Sequence, residues 1–298
     1  MRYHAILVTR DSNDIIVQSL QEKVKWADQV YVYDTGSTDG TWDMVQEFAR
    51  EDERVIPFTR EAIVFQEGIR AYVFEAFRNR MEQGDWVVKS DEDEFYHVNP
   101  RDFVSEELLK FDSAVWTQTY EFRLTEEEAA TQMDGAALRS ERCRPLAERR
   151  RYYVPLAYSE HRMCRYRPHM KWYPTDSFPK NAGIVARARI PMRHYPHRDI
   201  LQLQQRVRLR DAMAKHLPAG AYPHWKCTSW QDFVVPNDAK GLRYWKSGEP
   251  LPDVWFDTHL AGQPKRLVQF VAHRYFVRWV DRLRHEFPRT WCPERLEN

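Results

Sequence analysis

Cysteine is scarce in this chain of 298 residues. Four are present, Cys143, Cys164, Cys227 and Cys292, and no two have the spacing of a zinc site or a redox pair. A reduced, cytoplasmic protein is expected. No apolar run approaches the length of a membrane span, and the opening Ala5-Ile6-Leu7-Val8 is too short for the apolar region of a signal peptide. An excess of one charge is missing as well. With 45 Lys and Arg against 44 Asp and Glu, the formal net charge of +1 argues against a nucleic-acid binder that works by bulk charge. No Walker loop occurs, and no G-x-G-x-x-G follows the first strand, which removes the key support for P-loop and dinucleotide sites. A G-x-S-x-G elbow for Ser-His-Asp hydrolysis is also absent. The sequence shows no internal repeat and no low-complexity tract.

What is present is organised around Asp85-Trp86-Val87-Val88-Lys89-Ser90-Asp91-Glu92-Asp93-Glu94-Phe95. A short β-branched run reads as a buried strand, and it ends in four carboxylates. In an extended chain Asp91 and Asp93 would point the same way, about 7 Å apart. Like charges at the mouth of a buried strand need compensation, and hard oxygen ligands suit Mg²⁺ or Mn²⁺. The alternative is a solvated acidic turn. A calcium EF-hand would need an oxygen ligand where Phe95 stands and a glycine after it. An aspartyl-nucleophile phosphatase would continue with a hydroxyl residue and glycine in place of Glu94-Phe95.

Upstream, strands and helices alternate. Ala5-Ile6-Leu7-Val8 is a strand, and Ser12-Asn13-Asp14 offers caps for a helix carrying Ile16, Leu20 and Val24. Gln29-Val30-Tyr31-Val32-Tyr33 is the second strand, followed by a turn-rich stretch and a helix with Val45, Phe48 and Ala49 inward. A third strand covers 54–58, and a helix follows with Ile69, Val73, Phe77 and Met81 on one stripe. This alternation predicts an α/β fold with a mostly parallel sheet flanked by helices, in which ligands bind beyond the carboxyl ends of the strands. Asp11, Asp34, Asp39, Asp91 and Asp93 all fall just past strand ends, so the fold is expected to gather them in one crevice.

After Asn99 the pattern changes. Strands are expected at 114–122 and 161–166, with a polar excursion over 125–150 that ends in Arg142, Arg144, Arg149, Arg150 and Arg151. A helix covers 200–214, and 218–264 resists assignment. The last helix, about 264–285, carries Val268, Val271, Tyr275, Phe276, Trp279, Val280 and Leu283 on one stripe, with Arg274, Arg278 and Arg282 on another. The stripe is expected to dock on the body of the protein, with a membrane-surface role as the alternative. Two regions are expected: a catalytic-type domain over 1–210 and a C-terminal extension over 211–298, whose helix packs on the body or serves association.

Three blocks resemble the inverting glycosyltransferases of family 2, which have the GT-A fold. Val32-Tyr33-Asp34-Thr35-Gly36-Ser37-Thr38-Asp39-Gly40-Thr41 is similar to that family's second-strand signature. Arg78-Asn79, Gly84-Asp85-Trp86-Val87-Val88 and Asp91-Glu92-Asp93-Glu94 resemble its helix, strand and D-x-D-E sequence. Arg162-Met163-Cys164-Arg165-Tyr166, Trp172 and His194-Tyr195 look like its closing portion, so the resemblance covers about residues 3–210. Arg10-Asp11 stands where the family commonly has Asn-Glu, and Lys89-Ser90 replaces apolar residues.

The resemblance implies a metal-dependent transferase moving a sugar from a UDP- or GDP-linked donor to a hydroxyl acceptor, a glycan or lipid-linked glycan, in bacterial surface glycan assembly. Thr9 and Asp11 would flank the nucleoside, with Asp34 in the same crevice. Asp39 would contact the base, Arg78 would lie near the donor, and Asp91 would hold the ribose or sugar. Asp93 would bind Mn²⁺ or Mg²⁺, with His194 completing the shell and His197 competing for that place. Asp176 would be the catalytic base, with Glu160 and Glu94 as rivals. The enzyme would work in the cytoplasm, at or near the inner face of the membrane. A catalytically silent nucleotide-sugar or glycan binding protein on the same fold is the alternative reading.

Overall fold

The computed structural model describes residues 1–64, 66–216, 229–252 and 263–295, and these form a mixed α/β protein. The chain opens as the alternation of its sequence predicts: β1 (Tyr3–Thr9), α1 (Ile16–Lys23), β2 (Gln29–Asp34), α2 (Thr41–Glu51), β3 (Val55–Arg60), α3 (Gly68–Phe77) and β4 (Trp86–Asp91). The four strands pair in parallel in the order β3-β2-β1-β4. Every residue of β1 is buried, as expected of a strand covered on both faces. Ile16 and Leu20 of α1 and Val45 of α2 pack with Leu7, Val30 and Val32 on one face. Ile69, Val73 and Phe74 of α3 pack with Ile6, Tyr31 and Val87 on the other. The third helix ends at Phe77, so Met81 lies past it, in the descent to β4.

The strands that follow no longer all pair in parallel. After β4 come β5 (Glu94–Tyr96), α4 (Pro100–Glu107), where Asn99 caps the backbone N–H of Arg101, and the long β6 (Ala114–Thr125). Beyond β6 lie α5 (Glu126–Thr131), α6 (Gly135–Arg142), α7 (Leu146–Arg149), β7 (Tyr152–Pro155), β8 (His161–Arg165) and β9 (Ile190–His194). The eighth strand runs antiparallel to β4, and the first residues of β6 run antiparallel to β8. The sheet is therefore mixed, where the sequence led us to expect a mostly parallel one. Its parallel half is the β-α-β portion, and the departure begins once the helical crossovers stop. The rest of the chain holds α8 (Ile200–Ala214), β10 (Val234–Val235), β11 (Arg243–Tyr244), α9 (Gln263–Val271) and α10 (Val277–Leu283), with a π turn over Ala272–Phe276 between the last two.

The chain divides into two compact units. The first comprises Met1–Gln118, Ala157–Met192 and Trp255–Arg295, so the last helices, read from the sequence as part of an extension after residue 210, belong to it. The second comprises Thr119–Leu156, Arg193–Val254 and Leu296–Asn298. Within the second unit Leu124, Ala129, Leu138, Ile200 and Leu203 form one core cluster. The polar excursion expected over 125–150 is three short helices instead. Arg149 and Arg150 are buried there, Arg149 against Asp199 (3.4 Å) and Arg150 against Glu141 (2.6 Å). Each guanidinium is compensated by a carboxylate, which lets a charge-rich segment fold inward.

Among the described residues no helix is long and apolar enough to cross a membrane. Cys143, Cys164 and Cys292 are free thiols, and Cys227 lies outside the described residues.

Candidate functional site in the first unit

Three loops leave the carboxyl ends of β1, β2 and β4, and side-chain hydrogen bonds tie them together. The β2 loop is shaped by Asp34, which is fully buried and accepts from the backbone N–H groups of Gly36 (2.8 Å) and Ser37 (2.6 Å) on Oδ1. Burial pushes its carboxyl above the usual range, against those donors. Gly36 adopts φ +100°, and a Cβ there would stand 2.6 Å from Cα of Ala62, so only glycine fits. Asp39, half-buried at the end of this loop, accepts from the hydroxyl of Thr41 at 2.6 Å and from the N–H of Asn13 at 3.0 Å.

The β1 loop answers. Asp11, in the left-handed region at φ +46°, accepts from the N–H of Thr38 at 2.7 Å and donates its own N–H to the hydroxyl of Ser37 at 2.8 Å. Arg10 donates to the carbonyls of Thr35 (2.7 Å) and Ile63 (3.2 Å), so it fastens loops where an Asn was expected. Ser12 donates its N–H to Thr41 Oγ1 at 2.7 Å and its Oγ hydroxyl to Glu92 Oε1 at 2.9 Å. Since Ser12 is thus engaged, α1 starts at Ile16 with Ile15 at its N-cap, without the side-chain cap expected from Ser12-Asn13-Asp14. A continuous path of hydrogen bonds, Asp39 to Thr41 to Ser12 to Glu92, joins the β2 loop to the acidic one.

The acidic loop is a two-residue turn, Glu92-Asp93, between β4 and β5. The extended geometry expected for Asp91 and Asp93 therefore stops at Asp91. Arg70, near the start of α3, pairs with Asp91 Oδ1, and Arg162 on β8 pairs with Glu94. Burial would raise the Asp91 carboxyl, but Arg70, Arg162 and Lys89 outweigh it and hold it below the usual range. Beneath the loop lies Lys23, 2% exposed, whose Nζ donates to Ser19 Oγ (2.8 Å) and to the carbonyls of Asp91 (2.9 Å) and Glu94 (3.1 Å). Burial lowers its pKa to about 8, while the carboxylates of Glu94, Glu92, Asp91 and Asp93 pull the other way. Asp93 itself is 7% exposed.

The structure brings Asp11, Asp39, Asp91 and Asp93 into this one rim, and places other expected residues elsewhere. Thr9 and Asp34 are buried at the ends of β1 and β2, and Asp34 shapes the β2 loop. Arg78 is not in the cleft. It follows α3, about 12 Å of helix beyond Arg70, where it pairs with Glu75 and donates to the carbonyls of Pro168 (3.1 Å) and Met170 (2.8 Å). The helix runs antiparallel to the strands, so its first turn reaches the cleft and its last cannot. Arg70 takes the place expected of Arg78.

Asp176 sits in the loop after β8, 2.8 Å from Lys180, while its carbonyl receives the indole N–H of Trp172 at 2.7 Å. That loop leans on the start of α3: a Cβ on Gly68 would meet the Pro174 carbonyl at 2.8 Å. Glu160 pairs with Arg162 at 2.8 Å, so both rival carboxylates share one guanidinium. His194 belongs to the second unit, with Nδ1 3.5 Å from Glu121, and His197 faces Arg123 there at 3.4 Å. Sequence reading missed Arg70, Lys23 and Arg162. For Lys23 the signal was a lysine on the apolar stripe of α1, between Ile16, Leu20 and Val24.

The donor set fits a substrate-bridged cation better than a resident one. Among the described residues no three His, Cys, Asp or Glu side chains are placed to hold a metal ion by themselves. Mg²⁺ needs only one or two carboxylates when water and substrate phosphate complete its shell, and the Asp91–Asp93 turn offers hard oxygens of that kind.

No family model matches the chain, and no curated protein does. Among solved structures it is similar to the mannosyltransferase PcManGT from Pyrobaculum calidifontis, solved in complex with GDP-Man and Mn²⁺. The identity is 14% and the TM-score 0.41, with 72% of this chain and 62% of the other covered. The chain thus spans less than two thirds of that protein's length.

Proposed function

We propose that the cleft of the first unit binds a nucleotide-diphospho-sugar, UDP- or GDP-linked, and that the protein transfers the sugar to a hydroxyl acceptor with inversion. The observation that carries this reading is the hydrogen-bonded path from Asp39 to Glu92. It sets a nucleoside-type turn and an acidic turn side by side at the carboxyl ends of parallel strands, where α/β sheets bind ligands. Asp39 and Asp11 face the nucleoside, and Asp91, fixed by Arg70, orients the ribose or sugar.

Asp93 is the proposed contact for Mg²⁺ or Mn²⁺. When bound, the ion would neutralise the diphosphate leaving group as a Lewis acid. A base must take the acceptor proton as the hydroxyl oxygen attacks the anomeric carbon from the face opposite the diphosphate. Asp176 is proposed for that role. The acceptor class proposed, on the resemblance of the motifs alone, is a glycan or lipid-linked glycan of bacterial surface assembly.

One observation favours a second reading, a binding protein without turnover. Asp176, Glu160 and Glu94, the three carboxylates considered as base, are each paired with a cation, and such pairing weakens a base. Calorimetry with UDP and GDP, with and without Mn²⁺, followed by a donor-turnover assay, separates the two. Metal-linked binding with turnover, both lost in Asp93→Asn at nearly unchanged thermal stability, supports the transferase. Binding without turnover supports the silent protein, and full turnover in Asp93→Asn removes the metal role.

A further inference from the structure

The last helices of the first unit are held to it by the wrong side for an ordinary amphipathic helix. Arg266 is buried and pairs with Asp112 (2.5 Å), Gln269 accepts from the N–H of Val185 (3.2 Å), and Asp281, 1% exposed, pairs with Arg167 (3.0 Å). Lys171 adds a bond to the carbonyl of Arg284 at 2.7 Å. Apart from the half-buried Val280, the apolar residues expected to dock on the body point away from it. Val268 is 68% exposed, Tyr275 72%, Trp279 64% and Leu283 64%, with Leu267, Val271 and Phe276 open as well. The exposed patch extends through Phe270 to Phe111, whose rings meet edge-on at 5.6 Å.

Val271, Tyr275, Trp279 and Leu283 follow one another at intervals of four, as do Arg274, Arg278 and Arg282 one residue earlier, so a basic line runs beside the apolar one. All three arginines are exposed. Over 266–285 the sole acidic residue is Asp281, and it is consumed by Arg167. Arg274 and Arg278 also line a cleft with His169, Tyr275, Arg167 and Asp281.

We propose that this face is an interfacial anchor that lies flat on an anionic membrane, with Trp279, Tyr275 and Leu283 in the headgroup–acyl boundary and the three arginines on lipid phosphates. Aromatic and aliphatic residues flanked by arginines, on a helix of about 25 Å lying along the surface, are the composition such binding requires. A second copy is the weaker occupant. An isologous contact through this face would bring two rows of arginines together with no exposed acid among them. The inference stands apart from the nucleotide-sugar reading.

Flotation of the full chain with phosphatidylcholine vesicles, with and without the anionic lipid phosphatidylglycerol, tests it. Binding is expected with the anionic vesicles, weakened by salt, and a blue shift in tryptophan emission should accompany it. Because Trp279 and Tyr275 are solvent-exposed, the Trp279→Ser/Tyr275→Ser variant should keep the wild-type melting temperature and lose binding at least roughly tenfold. The triple Arg274→Gln/Arg278→Gln/Arg282→Gln variant should lose roughly a hundredfold. Absence of binding by folded wild type would overturn the proposal. So would wild-type affinity in the serine variant, or a dimer in gel filtration that the serine variant breaks.

Discussion

Ser12 and Glu92, eighty positions apart, are joined by a hydrogen bond of 2.9 Å from Oγ to Oε1. It is the point where the loop after β1 touches the acidic turn after β4. Ser12→Ala removes that donor, together with the contact of Oγ to the Arg10 carbonyl (2.9 Å), while the N–H of residue 12 still reaches Thr41 Oγ1. The expected loss of stability is about 1 kcal/mol. Nucleotide affinity should fall several-fold, up to about tenfold, read by calorimetry with UDP or GDP. Unchanged affinity would show that the two loops hold their positions independently.

Arg70 and Asp91 give a second test. The guanidinium is 3% exposed and the carboxylate 29%, so breaking the pair strands a charge in a partly screened place. Arg70→Met should cost about 1–3 kcal/mol, below the figure for a fully buried pair. The double variant Arg70→Met/Asp91→Asn should recover part of that loss in a double-mutant cycle by denaturant unfolding. Strict additivity would mean that the two side chains do not act together.

Lys23 makes stability depend on alkaline pH. Its pKa is about 8 in the folded protein against an ordinary 10.5, so between those values the unfolded chain binds more protons. The contribution is present above 10.5 and is lost as pH falls through 8. Wild type should therefore gain on a Lys23→Met variant as pH is raised from 8 to 10, measured as the difference in their melting temperatures. A wild-type melting temperature that falls relative to that of Lys23→Met over this range would contradict the burial assigned to the ammonium.

His161 does the same in acid. Its ring stacks on Phe178 at 5.3 Å, and burial, helped by Lys89, lowers its pKa to about 4 from an ordinary 6.5. The stability it contributes is present above 6.5 and lost as pH falls toward 4. His161→Phe keeps the stacked ring and removes the proton. The variant should lose less stability than wild type between pH 6.5 and 4, followed by circular dichroism on heating.

The strands and their loop ends were legible because each apolar run is short, β-branched and closed by turn residues; Asp39 and Asp93 could be assigned to one cleft on that ground alone. Arg70 and Lys23 were not, since their partners lie 21 and about 70 residues away and periodicity reports only which face a residue occupies. The segment 125–150 read as solvated because its arginines find their carboxylates only after folding, with Arg150 meeting Glu141 and Arg149 meeting Asp199. In the final helices the apolar stripe predicts the inward face, whereas Arg266–Asp112 and Asp281–Arg167 turn the polar side inward.

Gly36 and Ala62 touch main chain to main chain, with no side chain between them to compress or swing aside. The turn after β2 and the segment leaving β3 therefore have no room to close further on each other, and this part of the rim is shaped by main chain. Whatever enters spends little of its free energy of association on ordering that wall, so discrimination among ligands is left to the groups lining it.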